Sequence, residues 1–425
     1  MKYCLMFFLA FITLTLSAQR TILYCGKLVD VKNVKILTEM SVVVDSGIIT
    51  DVSNGYIKAN NGDKIIDLKN KTVMPGLIDC HVHLEFQTSP TEFADGFRLN
   101  PADYAFRSIG YAEKTLMAGF TTVRDVGGSG VNISLRNAIN KGLVKGPNIY
   151  TAGKIISSTG GHGDPTTGLN DEFRGDPGIV QGVANGVDEC TKAVRERYKE
   201  GSDLIKITAS GGVLSLEKDG SGAQFSEEEI KAIVQTAKDY GMKVAAHAHG
   251  AEAMKRAIRA GVASIEHGTY MNDEDIELFK QYGTYYVPTI IAGKSTADSA
   301  KKPGYYPDII AKKAREVGPL IQGTFAKAYK AGVKIAFGTD AGVYAHGKNW
   351  MEFVYMNEAG MPALEAIKAA TVNAADLIGI NDKTGVLEKG KAADIIAVDG
   401  DPTQDIQVMG KVNFVMKGGI VYKGM

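Results

Sequence analysis

The sequence predicts an α/β chain: a (β/α)8 TIM-like barrel with a small β-sandwich domain built from both chain ends. Short β-rich runs at either end flank a long middle in which strands alternate with helices. Eight strand units can be counted in that middle, each leading toward a helix. Five of the seven histidines fall at the C-terminal ends of those units, the rim where such a barrel keeps its active site.

The 425 residues exceed one ordinary core and suit a large barrel with an accessory domain. Forty-eight basic and 48 acidic residues cancel, so the composition points to no nucleic-acid partner. Glycine is frequent but scattered through apolar segments, which suits many short turns and argues against disorder. Residues 1–18 read as a signal peptide: Lys2, an apolar run from Cys4 to Leu16, then Ser17-Ala18-Gln19, where cleavage after Ala18 fits. The run is shorter than the roughly 20 residues that span a bilayer, so the expected product is exported, periplasmic or secreted, without a retained membrane anchor. Cys25, Cys80 and Cys190 would remain, an odd number with no close spacing and no disulfide framework.

The sandwich is expected from residues 19–71 and 384–425, the barrel from 72–383. Thr21–Cys25, Met40–Val44 and Ile65–Leu68 are the clearest strands at the first end, with turns at Asp45-Ser46-Gly47 and Asn60-Asn61-Gly62-Asp63. Asp394–Val398, Val412–Met416 and Ile420–Tyr422 mirror them at the second. In the middle, the strand leading to His81 is followed by Thr121–Val123, Asn148–Thr151 and Asp203–Ile207. Lys243–His247, Ser264–His267, Thr284–Val287 and Lys334–Phe337 complete the eight. Among the helices, Glu227–Val234 follows Ser226, with Glu229 closing a capping box, and Leu364–Ala370 follows Pro362.

Strand alternation puts His81 and His83 on one face at the end of the first strand, and His247 and His249 on one face at the end of the fifth. Lys206 lies near the end of the fourth, His267 ends the sixth, and Gly338-Thr339-Asp340 ends the eighth. Imidazole nitrogens and carboxylate oxygens suit zinc and similar ions. An ammonium has no lone pair, so Lys206 becomes a ligand only as a carbamate formed with carbon dioxide, whose two oxygens can bridge two metals.

Together these stretches resemble the amidohydrolase superfamily, in its imidazolonepropionase-like and Xaa-Pro-dipeptidase-like branch. The resemblance rests on Pro75–His83, Gly119–Asp125, Gly160-Gly161-His162-Gly163, Leu204–Ile207, Ala246–His249, Ile265–Gly268, Phe337–Gly342 and Gly385–Asp394. It implies two divalent metal ions, zinc foremost: one held by His81, His83, carbamylated Lys206 and Asp340, the other by the same carbamate, His247 and His267. Such a pair lowers the pKa of a shared water. The resemblance further implies that Asp340 takes that water's proton and passes it to the leaving amine, and that His162 stabilises the oxyanion. His249, standing where related dipeptidases often carry Tyr, is expected to contact substrate. A dipeptide or other small-molecule substrate and a homo-oligomer are implied as well. Cyclic amides, imidazolones, lactones and N-acyl amino acids fit the same metals. A metal-free scaffold is disfavoured because all six ligand positions are filled.

His346, in Tyr344-Ala345-His346-Gly347, is a further candidate substrate contact or else a surface-loop histidine. Arg124-Asp125 reads as a structural ion pair or loop brace. Glu266 precedes His267 and is expected to face away from the pocket, and Cys80 to lie buried behind it. Asn272–Asp275 reads as a solvated helix start. Residues 295–323 are long for a connection, leaving open a lid or an oligomer contact.

Overall fold

The computed structural model describes residues 19–424; the expected signal peptide lies outside them. The strands in chain order are β1 (Thr21–Asp30), β2 (Lys35–Asp45), β3 (Ile48–Asn54), β4 (Lys64–Pro75), β5 (Leu77–Val82), β6 (Phe120–Asp125) and β7 (Asn148–Thr151). There follow β8 (Ile205–Thr208), β9 (Val244–Ala248), β10 (Ser264–His267), β11 (Tyr285–Val287), β12 (Ile395–Val398), β13 (Val412–Lys417) and β14 (Ile420–Lys423). Most coincide with the runs read from sequence. β3 escapes that reading because its polar residues (Thr50, Asp51, Ser53) hide the pattern. It pairs at the edge of its sheet, where one face meets water.

The two chain ends do combine. β14-β13-β12-β4-β1-β2-β3 form one seven-stranded mixed sheet, in which β4 of the first end is antiparallel to β12 of the second. Alternate residues of its strands (Leu23, Val42, Leu68, Ile395, Phe414) share a single apolar cluster. A curled sheet buries one face against itself in this way, and the turn at Gly47 comes against the turn at Gly418-Gly419.

The middle holds two parallel sheets, β5-β6-β7 and β11-β10-β9-β8, and their helices pack over them. Single bridges link the sheets: Ile156 to Ile207 on one side, and Tyr286 to Ile335 and Ala341 to Val82 on the other. The expected strand at Lys334–Phe337 is therefore present as one bridge rather than a regular ladder. Part of its backbone is satisfied elsewhere. The Phe337 N–H donates to Ala369 O (3.1 Å), a carbonyl at the start of a π-helical turn, Ala369–Asn373. The helix Glu227–Asp239 starts as expected, with Ser226 Oγ accepting from Glu229 N and Glu229 Oε2 accepting from Ser226 N. Its Ile230, Ile233 and Ala237 form the buried stripe. No helix among the described residues is long and apolar enough to cross a membrane.

The junction from β4 into β5 depends on Gly76. A Cβ there would stand 2.1 Å from Thr121 Oγ1 on β6. Gly76→Ala is thus expected to cost about 1–3 kcal/mol through overpacking, read as a lower denaturant midpoint at an unchanged m-value. An unchanged midpoint would show that β5 and β6 separate freely.

Candidate metal-dependent active site

At the C-terminal ends of the parallel strands lies a cavity of about 530 Å³. His81, His83, Lys206, His247, His267 and Asp340, from five segments of chain, all line it. Centroids of neighbouring rings lie 4.9 Å apart for His81–His267, 4.7 Å for His247–His267 and 5.4 Å for His81–His83. One ligating atom each from His81, His267 and Asp340 lies within 4.8 Å of the others.

The hydrogen bonds behind this ring leave one nitrogen of each imidazole for the cavity. His81 Nδ1 bonds Glu266 Oε2 (2.8 Å), His83 Nδ1 bonds Gly127 O (2.7 Å), His267 Nδ1 bonds Thr289 Oγ1 (2.8 Å) and His247 Nε2 bonds Gly211 O (3.0 Å). With a carboxylate or carbonyl accepting, the proton of His81, His83 and His247 sits on the outer nitrogen and the inner one keeps its lone pair. Burial pushes His81 down to about 4 and drives His247 and His267 well below their ordinary value, so all three are neutral at pH 7. His83 goes the other way, because Asp340 outweighs its burial.

Asp340 Oδ1 stands 3.3 Å from His83 Nε2 and 3.5 Å from His81 Nε2, yet it is buried without a hydrogen-bond partner among the described residues. Burial would raise its pKa. His81, His83 and Lys206 together overcome that and hold it at about 2. An ionised, orphaned oxygen among imidazole nitrogens is a donor set that fits a divalent cation. Lys206, also buried, is drawn down to about 8 by desolvation.

Strain concentrates here. Of the six described non-glycine residues with positive φ, three belong to this site: His267 (70°), Thr289 (52°) and Asp340 (59°). The twist at His267 explains one correction. Strict alternation sends Glu266 away from the pocket. In the structure both Glu266 and His267 serve the site, because the left-handed backbone at His267 breaks the alternation. Glu266 lies under the histidine cluster, where its carboxylate takes His81 Nδ1, Arg124 Nη2 (2.8 Å) and Ser264 Oγ (2.5 Å). Arg124 pairs with Glu266 rather than with Asp125, and Asp125 instead accepts from Leu84 N and Asn132 Nδ2. A carboxylate inside the buried strand Ser264-Ile265-Glu266-His267 is itself a signal, since buried carboxylates are rarely left unpaired.

Arg124 and His81 together outweigh the burial cost of Glu266 and hold it at about 2. Glu266→Gln is expected to lower cation affinity about 10–100-fold and to destabilise by about 3 kcal/mol, through the unpaired Arg124. Calorimetric cation titration and denaturant unfolding measure the two separately.

His162 and His249 also line the cavity. His249 Nδ1 bonds Thr269 Oγ1 (2.8 Å) and its ring stacks on His267. The His162 ring lies against His247, tilted by 30° with centroids 4.4 Å apart, and its Nδ1 bonds Ser215 Oγ at 2.6 Å. His346 is not brought to the cavity. It is buried behind Phe86, donating from Nε2 to Phe86 O (2.9 Å) and stacking on Tyr111 at 4.5 Å, while the Phe86 ring packs on His83. The loop carrying it turns inward, so it braces the wall instead of touching what the wall encloses. Cys80 is buried toward Ala374, as expected. Asn272 caps the helix Asp273–Tyr282, though Asp275 is buried rather than solvated.

The 295–323 stretch is neither loose nor extended. It continues one helix (Ile290–Ser299) and forms another (Asp308–Val317), and Thr296 and Val317 line the cavity. Lys313 Nζ donates to the carbonyls of Gly212, Ser215 and Glu217, fixing the loop beside His162. Glu352, which sequence reasoning missed, accepts the N–H groups of Ile290 and Ile291 and so holds the helix start beside Thr289.

Residues 72–422 match the model of the amidohydrolase family, and the chain belongs to that family. It is an enzyme of the hydrolase class that acts on carbon–nitrogen bonds. The chain is 33% identical to ochratoxinase of Aspergillus niger over 434 residues, covering 96% of this chain and 88% of the relative. It is similar in structure to a Xaa-Pro dipeptidase with methionine bound in the active site, at 51% identity and a TM-score of 0.93, covering 95% of this chain and 100% of the other. A prolidase complexed with N-methylphosphonate-L-proline matches at 34% identity and a TM-score of 0.87, covering 96% and 100%.

Proposed function

We propose that this chain is an exported, binuclear-metal amidohydrolase that cleaves dipeptides, in the manner of a Xaa-Pro dipeptidase or a related carboxypeptidase-like enzyme. The observation that carries the reading is the convergence of four histidines, Lys206 and Asp340 on one cavity, with the ring protons tied back. The parallel strands are read as a closed eight-stranded barrel, supported by the bridges that link the two sheets. Export rests on Lys2 and the apolar run after it, and assembly as a homo-oligomer on the family likeness.

Two divalent cations, zinc or a similar ion that nitrogen and oxygen donors accommodate, would supply Lewis acidity and an activated water. His81, His83, Asp340 and a carbamate on Lys206 would hold one; His247, His267 and the same carbamate would hold the other. The residues prepare the reaction. Glu266, Gly127, Thr289 and Gly211 keep the rings turned, so their lone pairs need no reorganisation. Asp340 takes the attacking water's proton on the carboxylate oxygen that is not turned to the cation and releases it to the leaving amine nitrogen. His249 and His162 meet the substrate from the far side of the cavity, while Phe86, Leu214 and Val343 give it an apolar wall.

That wall favours one second reading on the same metals: a cyclic amide, imidazolone, lactone or N-acyl amino acid. A panel of Xaa-Pro and other dipeptides against those compounds decides. Turnover of dipeptides is the expected result, and turnover confined to the others would replace the first reading with the second.

A further inference from the structure

His162 is tied to two residues that no metal role requires. Ser215 Oγ lies 2.5 Å from Glu217 Oε1, against 3.4 Å from Gly212 O. A carboxylate only accepts, so the serine hydrogen is spent on Glu217. Gly212 N–H donates to the same oxygen at 2.8 Å, and Glu217 Oε1 is 3.7 Å from His162 Nδ1. With its hydrogen committed, Ser215 Oγ can only accept from His162 Nδ1, at 2.6 Å. The loop is built for this contact. A Cβ on Gly212 would stand 2.2 Å from the His162 ring, and Lys313 ties down the carbonyls on either side.

We infer that Glu217 and Ser215 are positioning residues that fix the proton of His162 on Nδ1, so that Nε2 is offered to the substrate as a hydrogen-bond acceptor. With its proton held on Nδ1 by Ser215, the ring presents no N–H to a developing oxyanion, contrary to the role that the family resemblance implies. The substrate group opposite Nε2 carries a hydrogen: an amide N–H or an ammonium, not a carbonyl oxygen. This last step rests on the proposed amide hydrolysis; the tautomer does not.

Two variants at Glu217 separate acceptor from charge. E217Q keeps a side-chain oxygen for Gly212 N and Ser215 Oγ without the charge. E217L removes the acceptor and frees the serine hydrogen to turn toward Nδ1. The holoenzyme is labelled with 15N-histidine and the His162 signals are assigned by their loss in H162Q. Wild type and E217Q are expected to show protonated Nδ1 and bare Nε2, whereas E217L gains the Nε2–H form. On a dipeptide substrate, kcat/KM is expected to fall about tenfold in E217L, the scale of one lost hydrogen bond, and to hold in E217Q. An Nε2–H ring in the wild type would overturn the inference, as would an E217L spectrum identical to it or an E217Q spectrum matching E217L. The nitrogen shifts are read without turnover, so the tautomer is judged on them alone and the dipeptidase reading on the substrate panel.

Discussion

Replacing Lys206 with alanine is expected to lower kcat/KM by on the order of 10³-fold or more, the several kcal/mol that metal activation supplies, and to lower the cation content of the purified chain. Lys206 occupies β8 with its side chain in the cavity, in register with Ala245 on β9 two residues before His247. Its amine is buried and drawn down to about 8, which makes an uncharged amine, the form that adds carbon dioxide, accessible at neutral pH. The fold should survive, because the change removes a buried amine and leaves the apolar neighbours Ile205 and Ile207 in place. Thermal unfolding of the cation-free variant should match or exceed that of the cation-free parent, as when a strained functional group is removed. Activity and cation content both unchanged would remove Lys206 from the site.

Asp340→Asn is expected to be nearly as damaging. The backbone at Asp340 is left-handed, with φ of 59°, and asparagine is among the few residues that adopt this region readily. The variant therefore tests the carboxylate without backbone strain. Asparagine keeps a carbonyl oxygen but loses the charge that His83 and His81 answer at 3.3 and 3.5 Å, and an amide does not accept a proton as a carboxylate does. Loss of the general base alone costs about 10²–10⁴-fold in kcat. The pH profile carries the sign. In the cation-free protein the depressed Asp340 carboxyl favours the folded state above its unfolded pKa, and that contribution fades as pH falls toward about 2. Asp340→Asn should flatten this acid limb of stability. Full activity after this substitution would mean that the proton is carried elsewhere.

The cluster of His81, His247 and Asp340 at one cavity was legible in the sequence because parallel strands alternating with helices bring their C-terminal ends to one place. His81, His247 and Asp340 are far apart in the chain, yet each ends a predicted strand. What supports them was not legible. Gly127, Gly211 and Thr289 act through loop backbone or a left-handed residue, and no spacing rule encodes those. Glu266 was misplaced for the same cause: alternation holds only while φ stays extended, and His267 departs from it. His346 shows the opposite failure. Its position after the eighth strand suggested the cavity, but a surface loop can turn its side chain inward behind a wall. Residues 295–323 looked like a long connection because their helices carry Gly and Lys among the apolar positions, and the structure makes them part of the cavity wall.

Elemental analysis of the purified wild-type chain, loaded with zinc and freed of excess, bears most directly on the whole account. Two ions per chain, falling to one or none in the Lys206 variant, is the result predicted by a shared ligand between His81-side and His247-side cations. A wild-type chain that retains no ion, or holds its full complement without Lys206, would contradict it.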